Sequence, residues 1–566
     1  MRSREAKKAR PPSGPSRLQS AAVWLAVCAV VAGLMAWYLA LSHRLAGEFG
    51  FPLDDSWIHV RFAQNLAAGH GFSFNPGELT STTTGALWTI LLARAYRITG
   101  EHVFTAAVLN GALCVLLCVL VYQLTLALAP RRWLAAAAAM TTAVTVPLPW
   151  WALSGMEPPL YGVLALLGIL LHLRLRRSSM PRALLPTVVF ALAGLARPEC
   201  FLLFPLALID RIVIARWVER EERSVARWAR DLAIHVPVFA LIVAPLFVYN
   251  YRVTGYALPS SYYSKLQWEG ISGALATERI SLFAALVVGP AREVGELLLT
   301  WARNNYVLIL PFFVGLVWQI RRAVSADTGG TRSLLIPMVL VAQPVAWAIV
   351  AGYRPPDFQS QRYLANIGPL FLMLGVIGGW RITEWMPRLR HSRLRALLLL
   401  AVLAASLARQ PGHATTYAKN VRDTTEMHVT IGRWVRDNVP PGSLLAVNDV
   451  GAIAVMSDCP VLDLQGLVTT EILSRRDMAH RLAGTAPQAV FEFIAAHRPD
   501  YLVIFPLAPW YPDLDQRRDL FTPVFWVALD DNITAGSPVM VVYRTVWAES
   551  ATEDGGGRDE TGKAPT

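Results

Sequence analysis

Charge is scarce in this chain: 16% of its 566 residues are Asp, Glu, Lys or Arg, where a soluble protein carries roughly a quarter. Together with 54% hydrophobic residues, that deficit excludes an intrinsically disordered chain and an ordinary soluble one. Cysteine is scarcer still. Of five, Cys28, Cys114 and Cys118 lie inside apolar runs, Cys200 begins one, and only Cys459 falls in a polar region, which rules out a disulfide framework or a cysteine metal cluster. Acids number 40 against 52 basic residues, a formal net charge of +12. The excess arginine sits in short segments between apolar runs, which points to membrane topology and away from nucleic acid. A Walker loop, H-E-x-x-H, G-x-S-x-G and paired C-x-x-C are all absent, and the common soluble chemistries go with them. No internal repeat of a transporter kind is visible either.

What is present is a series of apolar runs: 21–41, 103–129, 133–150, 159–173, 183–196, 199–214, 233–250, 303–320, 333–352, 363–380 and 395–408. They predict about eleven transmembrane helices. Residues 1–20 form a basic tail with Arg2, Arg4, Lys7, Lys8, Arg10 and Arg17 ahead of a run too long for a signal peptide, so the N-terminus is expected inside. Parity then places Arg131 and Arg132, Arg174 to Arg182, Arg216 to Arg230, Arg321 to Arg332 and Arg381 to Arg395 on the same inner side. The short loops at 153–157 and 353–361 fall outside and carry almost no Lys or Arg. The expected organisation is a transmembrane domain over 21–410 with long outer loops at 43–102 and 251–302, an extracytoplasmic α/β domain over 411–548, and a disordered Gly-rich tail over 549–566. The expected setting is a bacterial cytoplasmic (inner) membrane.

Chemistry concentrates on the outer side. Asp54 and Asp55 open an amphipathic segment carrying Trp57, Val60, Phe62 and Leu66 and closed by Gly69-His70-Gly71. Two acids at a helix start can cap it, and they can also take a proton from an incoming hydroxyl. Thr80 and Ser81 begin a hydroxyl-rich stretch that suits a helix N-cap or a sugar site. Arg197-Pro198-Glu199 stands between two apolar runs, where charges pair with one another or serve a substrate phosphate. Tyr262, Tyr263 and Lys265 in the second loop, and Arg362 at the start of a later run, suit an interfacial anchor or a phosphate. Asn448-Asp449-Val450-Gly451 and Asp463-Leu464-Gln465-Gly466-Leu467 read as strand-to-turn units.

Asp54-Asp55, Gly69-His70-Gly71-Phe72, Phe74-Asn75-Pro76-Gly77-Glu78, Thr80-Ser81 and Leu87-Trp88 together resemble the first outer loop of GT-C membrane glycosyltransferases, the mycobacterial terminal β-(1→2)-arabinofuranosyltransferases among them. The likeness continues in Ala196-Arg197-Pro198-Glu199, Tyr262-Tyr263-Ser264-Lys265, Arg362-Tyr363-Leu364, Ile431-Gly432-x-Trp434, Asp449-Val450-Gly451-Ala452-Ile453 and Asp463-x-x-Gly466-Leu467. It implies transfer of a sugar, left open in identity, from a polyprenyl-phosphate donor to an envelope glycan, lipid or protein. It also implies Asp54 as general base, with Asp55 orienting the acceptor, holding the helix start or binding a divalent cation if one is used. Arg197, Lys265, Arg362, Tyr262 and Tyr263 would meet the donor phosphate; His59, His70, Thr80, Ser81 and Glu199 would line the substrate. No nucleotide-sugar site is implied. A transporter, or a non-catalytic member of the fold that binds lipid-linked sugar, stands as the alternative.

Overall fold

The computed structural model describes residues 17–220, 225–266, 287–325, 332–350, 356–386, 392–473, 486–507, 514 and 517–548. Most of the basic tail, the 549–566 tail expected to be disordered and the middle of the second outer loop lie outside the described residues.

Every apolar run coincides with helix, but the runs do not all make a straight crossing. Six helices are long and apolar enough to span a membrane, eight if each of two bent pairs counts as one span, among the described residues. Several of the eleven expected spans are short, and the three runs beyond these eight are the short ones. Run 133–150 divides into Arg132–Ala143 and Pro147–Leu153, bent by 63° where Pro147 and Pro149 cannot donate backbone hydrogen bonds. The run from 363 turns by 81° into Gly368–Trp385, which starts on Gly368-Pro369. Arg182–Ala196 and Leu335–Ala348 are apolar but short. Run 199–214 spends its first residues in the tight helix Pro198–Leu202, leaving eleven residues for Leu203–Val213. An apolar run reports burial in lipid or protein; it does not report an uninterrupted axis.

Polar character returns within the long helix Ser392–Thr424, which runs on through Thr425–Val429 and Thr430–Asn438 into the C-terminal domain. There β1 (Leu445–Val447) lies parallel to β2 (Val461–Asp463) and β3 (Tyr501–Ile504). β3 pairs antiparallel with β5 (Val539–Thr545), and β5 with β4 (Phe521–Ala528), in the order β2-β1-β3-β5-β4. The three parallel strands β1, β2 and β3 are buried along their length, as their apolar runs require. One apolar layer of this domain takes in Phe62 and Phe74 of the first outer loop beside Ile431, Ile453 and Val503. The loop and the domain thus share a core, and that fixes the loop against the sheet. A polytopic α-helical architecture with a C-terminal α/β domain is the result.

Candidate functional site

The helix Asp54–Ala68 exists because Trp57, Val60, Phe62 and Ala63 need burial, and it stops at Gly69, whose left-handed backbone returns N–H bonds to Asn65 and Leu66. Neither acid caps this helix: its N-cap is Leu53, with no side-chain cap bond. Asp54 caps a different one. Its Oδ2 accepts the Gly451 N–H at 2.7 Å and its Oδ1 the Ala452 N–H at 2.7 Å, at the start of the helix Gly451–Ser457. Position 451 must be glycine, because a Cβ there would run into the Asp54 backbone oxygen. Burial, and then the charge of Asp449, push the Asp54 carboxyl up to about 6 against the pull of His428 and the two amides. His428 Nε2 lies 2.9 Å from Asp449 Oδ2.

Asp55 faces elsewhere. Together with Arg197 and Arg362 it lines a cavity of about 530 Å³ whose walls are mostly apolar, built from residues such as Ile58, Phe62, Met156, Phe201, Leu202, Ala346 and Trp347. Asp54 is not among the lining residues. Arg362 is buried, and its Nη2 donates to Asp55 Oδ2 and to the Tyr363 hydroxyl, both at 2.9 Å. Its backbone carbonyl is held by the Tyr161 hydroxyl. Arg197, also buried, pairs through Nη1 with Glu157 and through Nε with Glu199 at 3.2 Å, and lies 4.5 Å over the Tyr363 ring. Glu157 Oε2 lies 3.3 Å from His59 Nε2, and the other ring nitrogen of His59 is 2.9 Å from the Thr89 hydroxyl. Two arginines, three carboxylates and one histidine therefore converge in one apolar chamber.

The other expected residues divide into two groups. His59, Glu199 and Tyr262 line the cavity, as do Thr82, Thr83 and Thr84 immediately after the predicted Thr80 and Ser81. Thr80 donates to the Val468 carbonyl at 2.7 Å, and Ser81 Oγ meets Ser260 Oγ at 2.6 Å, so both join loops and neither lines the chamber. His70 is exposed beyond the helix end, and Tyr263 bonds the Leu258 amide, so these too are not in the wall. The Lys265 side chain lies outside the described residues. Sequence reasoning missed Glu157, Tyr363 and Gln343 as cavity residues. Glu157 left one signal, an acid isolated in a short segment between apolar runs, where a carboxylate needs a partner. No group of three or more His, Cys, Asp or Glu side chains among the described residues is placed to hold a metal ion.

This arrangement sits in the GT-C fold of membrane glycosyltransferases, and the chain is a multi-pass membrane protein of that architecture. Among individual relatives, the chain is 29% identical over 378 residues to the terminal β-(1→2)-arabinofuranosyltransferase of Mycobacterium tuberculosis. That match covers 63% of this chain and 55% of the relative, so the chain spans about half the length of the curated relative it matches. ArnT from Cupriavidus metallidurans, solved bound to undecaprenyl phosphate, aligns over 97% of this chain and 100% of its own with a TM-score of 0.53 and 13% identity. The oligosaccharyltransferase of Archaeoglobus fulgidus aligns over 91% of this chain and 73% of its own, with a TM-score of 0.55 and 14% identity. Residues 417–546 match a family described as a domain of unknown function, DUF8728.

Proposed function

We propose that the protein transfers a sugar from a polyprenyl-phosphate donor to a hydroxyl of an envelope glycan, lipid or protein at the outer face of the membrane. The observation that carries this reading is the cavity: an apolar chamber in which a carboxylate, Asp55, shares the wall with two buried guanidiniums, Arg197 and Arg362. The acceptor hydroxyl attacks the anomeric carbon and the bond from that carbon to the phosphate oxygen breaks. The phosphate leaves with the electron pair, and the hydroxyl proton passes to a carboxylate, in a single displacement with inversion. Charge grows on the departing phosphate, where arginines are worth most in a dry site. Each arginine carries five N–H donors, more than its carboxylate partners engage, so a phosphate can be received without expelling them.

The base in this reading is Asp55, where the resemblance implied Asp54. Asp54 spends both oxygens on the amides of Gly451 and Ala452, whereas Asp55 opens on the chamber beside the arginine that would meet the donor. Support for sugar transfer comes from the arabinofuranosyltransferase likeness, and for a lipid-phosphate donor from ArnT, whose fold this chain shares and which was solved with undecaprenyl phosphate. The deciding experiment gives the purified protein polyprenyl-phosphate sugars and nucleotide sugars side by side, with mass spectrometry of envelope glycans from a strain lacking the protein to name the product. Turnover of a nucleotide sugar with no use of the lipid donors would overturn the proposal.

A further inference from the structure

Away from the cavity, three span ends bring arginine and tryptophan together. Arg131 lies in the turn between Val103–Leu128 and Arg132–Ala143, Arg322 near the end of Tyr306–Val324, and Arg381 and Glu384 near the end of Gly368–Trp385. The last of these helices begins close to Arg362, and Arg381 is roughly 20 Å further along its axis. The buried Trp380 ring has the Arg131 guanidinium at 4.9 Å and that of Arg381 at 4.3 Å. Arg381 also lies 4.9 Å from the Trp318 ring, with Arg322 at 5.8 Å from the same ring.

A bias of arginine toward one side of a membrane would leave these side chains reaching into water. Here they are drawn onto indoles, and two of them share a single acid. Glu384 lies 2.8 Å from Arg381 and 3.6 Å from Arg131, so one carboxylate stands between two guanidiniums. Arg381 Nε and Trp380 Nε1 are buried and make no hydrogen bond among the described residues. Arg322 is turned the other way, toward the Ala127 carbonyl at 3.4 Å. Among the described residues the surplus between Arg131 and Arg381 is positive charge and N–H donors, the complement of an anion with oxygen acceptors. Beside it the helix Tyr306–Val324 exposes Val317, Ile320 and Val324 along one stripe, and Trp385 stands exposed at the end of its own helix. An anion that also carries hydrocarbon fits both features.

We propose that this cluster binds an anionic phospholipid, its phosphate held between Arg131 and Arg381 and its acyl chains lying along Val317, Ile320 and Val324. The site is separate from the cavity and does not depend on the reaction assigned to it. The test is native mass spectrometry and thermal melting of the purified full-length protein with phosphatidylglycerol, with phosphatidylcholine and with inorganic phosphate. The expected result is selective retention of phosphatidylglycerol that fades as salt is added. In the double variant Arg131→Gln/Arg381→Gln its affinity should fall about thirtyfold while phosphatidylcholine is unaffected. Equal retention of the two lipids by the wild type would overturn the proposal, as would inorganic phosphate stabilising the protein as much as phosphatidylglycerol does. If the double variant fails to fold, the wild-type lipid ratio and its salt dependence still decide.

Discussion

Neighbouring residues on a helix point about 100° apart, and at positions 54 and 55 that rotation separates two roles. Asp54 reaches the C-terminal domain and Asp55 the cavity. Asp55→Asn should therefore lower transfer by about a hundred- to ten-thousandfold with melting temperature and donor binding near wild type, checked by initial rates beside a lipid-donor binding isotherm. Asp54→Ala should do the reverse, leaving two amides without acceptors at a cost of about 1–3 kcal/mol in stability, read by thermal melting. The Asp54 carboxyl also sets a pH dependence. Its folded value of about 6 stands above the ordinary 3.8, so the folded state binds the extra proton. That contribution to stability is complete below about pH 4 and is lost as pH rises through about 6. The wild type should thus lose stability between about pH 4 and pH 6 by a component that Asp54→Asn lacks, measured by melting both proteins across that range. That a paired acid opens the first loop could be read from the chain, because two adjacent carboxylates before an apolar stripe are a local pattern. Which of them faces the chamber could not, since the partner that claims Asp54 lies 397 residues away.

The element that decides this geometry is short. Gly451–Ser457 is a helix of seven residues, buried along most of its length, and its start is held by a side chain from another domain. Gly451→Ala should push the two elements apart and cost about 1–3 kcal/mol, with faster hydrogen exchange at the Ala452 amide as the local readout. Asp449-Val450-Gly451 was visible in the sequence as a strand followed by a turn, and β1 leading into this helix is what such a signal describes. That the turn's amides would be spent on the first outer loop was not visible, because turn chemistry names a backbone shape and leaves its partner open. Glu157 was hidden for a similar reason. It sits just ahead of the helix Pro158–Leu175, and nothing periodic around it announces that His59 and Arg197 will close on it.

On the scale of the molecule, charge bias and apolar runs carried the architecture: a bundle of membrane helices followed by a small mixed sheet. Straightness was the part they could not carry, since a bend depends on where prolines and glycines interrupt hydrogen bonding within a run of unchanged hydropathy. The arginine bias predicts that fusions after Gln410 will show phosphatase activity and no fluorescence, and bright fluorescence there would reverse the assignment of sides. The bond from Asp54 to the Gly451 amide has a consequence in time as well as in space. During translation the acid leaves the ribosome 397 residues before the glycine does, which at ordinary elongation rates is roughly 20 to 80 s. Through that interval every membrane helix can insert while the first outer loop still lacks the amides that orient it. A nascent chain cut short before Gly451 would carry both aspartates and the partners of Asp55 and His59, and Asp54 alone would lack the amides that hold it.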